Sequence, residues 1–330
     1  MTRPRVLLTR RIPEPGFSLA REAFTVTGGD EDRPLARDEL LRTVVGVDAI
    51  LCLLTELIDG AVMDAAGPQL RVISNMAVGF DNVDIPAATA RGILVTNTPG
   101  VLTDATADLT WALILSITRR VVEGDRMVRG GRFERWSPFM LLGRGVAGAT
   151  LGVVGMGRIG RAVARRSLGF DMRVLYARLG GPLEPEEVPS GARWEFRSEL
   201  GQLLREADIV SLHVPLSADT YHLIGTREVA LMRPGSYLVN TSRGPVIDET
   251  ALVESLRSRH LGGAGLDVYE REPELAAGLA GLDNVVLLPH LGSATVEARG
   301  RMAEVAARNA IAAIRREPVE HMVNPEVLCV

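Results

Sequence analysis

LGVVGMGRIG, Leu151 to Gly160, decides the fold. A short apolar run leads into glycines spaced as Gly155-Met156-Gly157-Arg158-Ile159-Gly160, and a helical pattern follows at once. Strand, tight turn and helix in that order open a dinucleotide-binding unit. The glycine spacing alone is weak; the flanks make it specific, because Gly169 ends the helix just before the next apolar run, MRVLY (172–176). Gly155 permits the turn, Gly157 lets the backbone approach a pyrophosphate, and Gly160 lets helix and strand pack closely. The phosphates would meet free N–H groups at the positive end of the helix.

In such units an acid after the second strand bonds the 2′-OH of NAD and repels the 2′-phosphate of NADP. Here the strand closes with Ala177, Arg178 and Leu179. The repulsion is gone, and a guanidinium can pair with a phosphate through two parallel N–H bonds. The expectation is NADP(H) preferred, with NAD(H) still accepted should Arg178 be a solvated strand-end residue.

Further apolar runs alternate with helical patterns. One set is RVLLT (5–9), DAILCLL (48–54), LRVISNM (70–76) and ILVTN (93–97). A second is LGVVG (151–155), MRVLY, DIVSLHV (208–214), SYLVNTS (236–242), GAGLDVY (263–269) and NVVLLPH (284–290). Apolar strands alternating with helices indicate parallel sheets covered on both faces, so the fold class is α/β with two doubly wound domains. A long helix, Thr103 to Arg120, links the sets, and a matching helix, Ser293 to Arg316, follows the last strand. Two crossings imply a discontinuous first domain, 1–100 plus 290–330, with 101–289 as the dinucleotide-binding domain.

Composition excludes other chemistries. All 37 basic residues are arginine, which leaves no lysine for a Walker P-loop or a pyridoxal Schiff base. A net charge of −4 gives no footprint for nucleic acid. Two cysteines suggest neither disulfide framework nor metal site and fit a reducing compartment. The apolar core of the N-terminal stretch is too short for a signal peptide, and no run reaches membrane-spanning length, so a soluble cytoplasmic protein is expected.

Open parallel sheets bind ligands outside the C-terminal ends of their strands. There the sequence places His213, Arg243, Asp267 and His290, with Glu272 five residues after Asp267. Arginine, histidine and glutamate suit reduction of a 2-keto acid. The first grips the carboxylate and polarises the carbonyl, the second protonates the developing alkoxide, and the third orients the histidine and favours its charged form. Spacing does not rank His213 against His290, whereas His222 and His260 look like surface residues.

The stretches AVGFDNVDIPAATARGILVTNTPGVLTDATADL, RWSPFMLLG, TLGVVGMGRIG, HVPLSADTYHLIG, LVNTSRGPVIDE, GAGLDVYEREP and NVVLLPHLGSAT resemble the D-isomer-specific 2-hydroxyacid dehydrogenases, and among them the glyoxylate/hydroxypyruvate reductases. The resemblance implies a Rossmann cofactor domain inserted in a flavodoxin-like substrate domain, with the site in the cleft. It implies that Arg243 binds substrate, that His290 is the acid–base, and that Glu272 is its partner. Cofactor contacts would come from Thr106, Gly155 to Gly160, Ala177 to Leu179, His213, Val214, Pro215, Thr220, Thr241, Ser242, Arg243, Asp267, His290 and Gly292. Substrate would meet Leu54, Val78, Gly79, Arg243 and His290. Trp136 matches a loop tryptophan that in similar reductases reaches the neighbouring subunit's site, which implies a homodimer; plain interface packing is its other reading. No metal is implied. D-lactate or phenylpyruvate reduction stays open, as does a dinucleotide-sensing role like that of the family's corepressors.

Overall fold

The computed structural model describes residues 3–329. The chain divides into two compact units, 1–102 with 294–330, and 103–293. The second unit runs past the expected boundary at 289 because residues 290–292 are tied into it. The His290 N–H donates to the Asp267 carbonyl, and the Leu291 and Gly292 N–H groups donate to the Asp267 carboxylate.

In the first unit, β1 (Arg5–Leu8), β2 (Thr25–Gly28), β3 (Ala49–Cys52), β4 (Val72–Asn75) and β5 (Leu94–Thr96) form a parallel sheet ordered β2-β1-β3-β4-β5. This is the flavodoxin-like order. The helix Val296–Arg315 completes this unit from the C-terminal segment. Thr295 caps it by accepting from the Ala298 N–H at 3.0 Å. Small residues, Ala298, Gly300, Ala303, Ala306, Ala307 and Ala310, make up much of its buried face, and at Ala303 the backbone of Gly16 comes close. The Ser74 hydroxyl donates to the Ala306 carbonyl at 2.8 Å.

In the second unit, β6 (Thr150–Val154), β7 (Arg173–Ala177), β8 (Arg193–Phe196), β9 (Ile209–Leu212), β10 (Tyr237–Asn240), β11 (Gly263–Leu266) and β12 (Val285–Leu287) are all parallel. Their order is β12-β11-β10-β9-β6-β7-β8. The chain reverses its winding between β6 and β9, the switch point of a Rossmann sheet. Helix Thr103–Thr118 buries Leu113, Ile114 and Ile117. Trp111 on it donates to the Val163 carbonyl at 3.0 Å and stacks on Phe170 at 4.7 Å.

Two strands escape the sequence reading. β2 and β8 are edge strands, partly exposed and lacking a continuous apolar run. The helix expected through Arg120 stops at Thr118, because Arg120 takes a left-handed φ of 55° before a separate helix, Val121–Arg129. Gly169 does not end its helix; a 3-10 turn, Ser167–Phe170, carries the chain on, and Asp171 makes the left-handed turn at φ 52°. Among the described residues no helix is long and apolar enough to cross a membrane.

The β7–β8 edge is laced by charge. Arg173 bonds Glu195 at 2.6 Å, and Arg197 bonds Glu206 at 2.8 Å and Glu195 at 3.1 Å. The bond from Arg173, reinforced by Arg197, outweighs partial burial and holds the Glu195 carboxyl at about 2. A carboxyl depressed on folding stabilises fully above its ordinary range near 4.5, and that contribution is lost as pH falls through about 2. Glu195→Gln is therefore expected to lower the thermal unfolding midpoint at pH 7, with the difference from wild type shrinking as pH falls towards 2. A difference independent of pH would show that Glu195 acts through packing instead.

Candidate active site

Because all seven strands of the second sheet run one way, the segments leaving their C-terminal ends share one edge. Along the order β12-β11-β10-β9-β6-β7 that edge carries His290, Asp267, Arg243, His213, the Gly155–Gly160 loop and Arg178. With strands about 4.8 Å apart, these six positions span roughly 24 Å.

At one end stand the charged groups. His290 Nδ1 and Glu272 Oε2 lie 2.9 Å apart, their side chains 25 % and 33 % exposed, so a ligand can reach the pair. Burial pushes the Glu272 carboxyl up. The bond and charge of His290, the Tyr269 N–H at 3.1 Å and the nearby Arg243 guanidinium outweigh it and hold the group below the usual carboxylate range. Arg243 thus lies within electrostatic reach of the pair. Its turn is rigid: buried Asn240 donates to the Arg243 carbonyl at 2.8 Å and accepts from the Ser242 N–H and hydroxyl.

Gly244 packs against the chain that leaves β11. A Cβ there would overlap the Tyr269 carbonyl, so the Arg243 turn sits directly on the backbone that carries Glu272. Asp267 is 1 % exposed; its two oxygens accept from Leu291 at 2.6 Å and Gly292 at 2.7 Å, which fixes the turn holding His290. Burial pushes this carboxyl up, while those N–H groups and His290 pull against it. His290 itself adopts a left-handed φ of 56°. Thr106 donates to the Gly292 carbonyl at 2.9 Å, and Thr110, one turn on, pairs with Thr241 at 2.9 Å.

The glycine loop occupies the middle of the edge. Gly155, at φ 96°, donates to the Ala177 carbonyl and lies where a Cβ would meet the His213 carbonyl and Val214. Beside Gly157 the space is open, while Met156 is buried and Arg158 exposed. Arg158 and Ile159 begin the helix Arg158–Arg166, where N–H groups have no helical acceptor. Desolvation pushes the His213 imidazole down to about 3, so it stays neutral; Nε2 pairs with Ser211 at 2.8 Å, and Nδ1 is buried without a partner. That makes it unfit as the proton donor. Pro215 is exposed, and Thr220 donates to its carbonyl at 2.6 Å, closing the following turn. Past β7, Arg178 is half-buried with Nε on the Leu179 carbonyl at 3.2 Å, and Leu179 is 94 % exposed. Open space at Gly157, first-turn N–H groups and a flanking arginine fit a dinucleotide.

Leu54, Val78 and Gly79 belong to the other unit, after β3 and β4. Trp136 lies on the irregular stretch before β6, 75 % exposed, with no ring stacked on it among the described residues. His222 and His260 are half-buried rather than at the surface, bonded to Glu270 and to the Val229 carbonyl, each at 3.1 Å. Sequence reasoning missed Asn240, Thr110 and Tyr269, whose work is to hold other residues. The one signal was Asn240 closing an apolar run directly before the Arg243 turn. Among the described residues no cluster suited to a metal ion occurs.

Residues 111–292 match the family model described as D-isomer specific 2-hydroxyacid dehydrogenase, NAD binding domain. The chain is 50 % identical over 331 residues to a glyoxylate reductase of Thermofilum pendens, covering 99 % of this chain and 96 % of that one. It is 49 % identical to a glyoxylate reductase of Thermococcus gammatolerans, over 99 % and 97 %. Among solved structures, a Thermus thermophilus protein superposes with a TM-score of 0.88 at 45 % identity, covering 97 % and 99 %. An NADPH-dependent glyoxylate/hydroxypyruvate reductase from Sinorhizobium meliloti, in complex with NADP and malonate, superposes at 0.84 and 32 % identity, covering 98 % and 97 %.

Gly244→Ala is expected to separate the Arg243 turn from the Glu272 loop. Overpacking costs typically about 1–3 kcal/mol, and a backbone neighbour leaves little room to relax. A lower unfolding midpoint together with loss of turnover is the outcome to look for; a fully active, equally stable variant would show that the two loops need not touch.

Proposed function

Since the chain belongs to the D-isomer specific 2-hydroxyacid dehydrogenases, oxidoreductases that reduce keto acids with a nicotinamide dinucleotide, we propose that it reduces glyoxylate and hydroxypyruvate to glycolate and D-glycerate, with NADPH preferred over NADH. The observation that carries this is the His290–Glu272 bond beside Arg243, on the same sheet edge as the glycine loop. Arg243 grips the substrate carboxylate and draws electron density from the carbonyl. His290 gives its proton to the developing alkoxide, held at the right angle by Glu272 through Nδ1, which leaves Nε2 to face the substrate. The bound dinucleotide supplies the hydride. The family resemblance assigns the Val78 and Gly79 N–H groups to the carboxylate and Leu54 to substrate binding. Thr106, Thr241, Ser242, Asp267 and Gly292 flank the nicotinamide end; Arg178, which follows Ala177 rather than an acid at the end of β7, receives the 2′-phosphate. Relatives named glyoxylate reductase and the NADP complex of the Sinorhizobium enzyme support the substrate and the cofactor.

The protein acts as a soluble, cytoplasmic homodimer. Val121, Val128, Phe133, Trp136, Phe139 and Leu142 are each at least half exposed within one short stretch, an apolar surface suited to a second copy. Sedimentation of the wild type as a monomer would remove this part.

Three enzymological outcomes follow. Arg243→Ala is expected to lower kcat/KM for glyoxylate on the order of a thousandfold, since clamp and polarising charge leave together. In the reductive direction the acid must carry a proton, so activity falls as pH rises; Glu272→Gln removes the charge that favours that proton, and the alkaline limb of kcat/KM moves to lower pH. An unmoved limb excludes Glu272 from the mechanism. Arg178→Ala is expected to raise KM for NADPH about tenfold or more and leave that for NADH unchanged, a charged hydrogen bond being worth about 1.5–3 kcal/mol. Equal effects on both cofactors, or a wild-type preference for NADH, would overturn the cofactor assignment.

A further inference from the structure

Segment Ala77–Gly79 follows β4 in the first unit, and its three successive carbonyls are all taken from the same side. The Ala77 carbonyl accepts from the Thr98 N–H at 2.9 Å. Asn97 Nδ2 donates to the Val78 carbonyl at 2.8 Å, and Asn75 Nδ2 to the Gly79 carbonyl at 3.0 Å. These donors stand at the ends of β4 and β5, in the body of the unit. In a trans peptide the N–H points opposite to the C=O. A carbonyl turned inward therefore turns the next residue's N–H outward. The N–H groups of Val78, Gly79 and Phe80 find no acceptor among the described residues.

Side chains hold two of the three peptides, and those side chains are themselves held. Asn97 has both backbone groups tied to the C-terminal segment: its N–H donates to the His321 carbonyl at 3.2 Å, and its carbonyl accepts from Asn309 at 3.3 Å. Asn75 is wholly buried, and Nδ2 also donates to Asn82 Oδ1 at 3.1 Å. Asn82 in turn donates to the Leu53 and Glu56 carbonyls at 2.9 and 3.1 Å. Buried Glu56 accepts from Thr9 at 2.7 Å and from the Leu53 N–H at 3.1 Å. A polar network of this extent under one surface loop is costly to build unless its members are paired, and a paired network rigidifies the loop it holds.

We propose that Asn97, with Asn75 behind it, is a positioning residue for substrate: by holding the Val78 and Gly79 carbonyls inward the two present the N–H groups of Gly79 and Phe80, which join that of Val78, set by the Thr98 N–H, as a three-donor cradle for the carboxylate of a 2-keto acid. The proposal rests on the reading that this segment receives that carboxylate. Successive N–H groups turned to one side make an anion site without any charged side chain. Asn97 supplies no contact to substrate. It keeps a carbonyl oxygen, which would repel the carboxylate, from facing it.

Asn97→Asp is nearly isosteric but sets an acceptor against the Val78 carbonyl, so that peptide turns over. With saturating NADPH, the Kd of oxamate and the KM of glyoxylate are expected to rise at least tenfold. The Kd of NADPH and the unfolding midpoint stay as in wild type, and kcat changes less than KM. Should Asn97→Asp fold poorly, Asn97→Ser, small and neutral, is measured in the same way. Amide exchange of residues 78–80 in the wild type, with and without oxamate, separates the two layers. Protection by oxamate together with unchanged oxamate affinity in both variants overturns the positioning role and leaves the carboxylate reading standing. No protection in the wild type overturns both.

Discussion

Parallel pairing of β6 to β12 is the constraint from which the chemistry follows. Strands that run one way deliver their outgoing segments to one edge, and strand order then decides what lies beside what. The order β12-β11-β10 puts His290, Asp267 and Arg243 next to one another, although Arg243 and His290 are far apart in sequence. The winding reversal between β9 and β6 places the glycine loop at the centre and Arg178 beyond it. The charged groups, the glycine loop with its open space at Gly157, and Arg178 thus follow one another along a single edge.

Precision at the charged end comes from residues that do no chemistry. Asp267 spends both oxygens on the turn after His290. Even between uncharged partners such hydrogen bonds are worth about 0.5–1.5 kcal/mol each, and the two together match the cost of about 1–3 kcal/mol for the left-handed backbone conformation of His290. Asn240 closes the Arg243 turn, and the absent side chain of Gly244 lets that turn rest on Tyr269. Thr106 and Thr110 anchor the same turns to helix Thr103–Thr118. The same design recurs in the first unit, where Asn75 and Asn97 hold the carbonyls of the 77–79 segment.

Much of this was legible in the chain. Buried parallel strands announce themselves as apolar runs, and the glycine spacing marks its own turn, so ten of the twelve strands among the described residues and the glycine loop could be read directly. β2 and β8 could not, since an edge strand half in water needs no apolar pattern. Spacing alone also left His213 and His290 equal as proton donors. Burial separates them: His213 is kept neutral, while His290 faces Glu272. Asn75 and Asn97 were invisible for another reason. A side-chain amide that bonds a carbonyl acts through tertiary position, and no local pattern encodes it.

The most direct measurement is a crystal structure of the protein with NADPH and oxamate bound. The account predicts the 2′-phosphate at Arg178, the pyrophosphate over Gly157, and oxamate with its carboxylate on Arg243 and its carbonyl oxygen within hydrogen-bonding distance of His290 Nε2. A dinucleotide lying the other way along the edge, or oxamate bound clear of both Arg243 and His290, would contradict it.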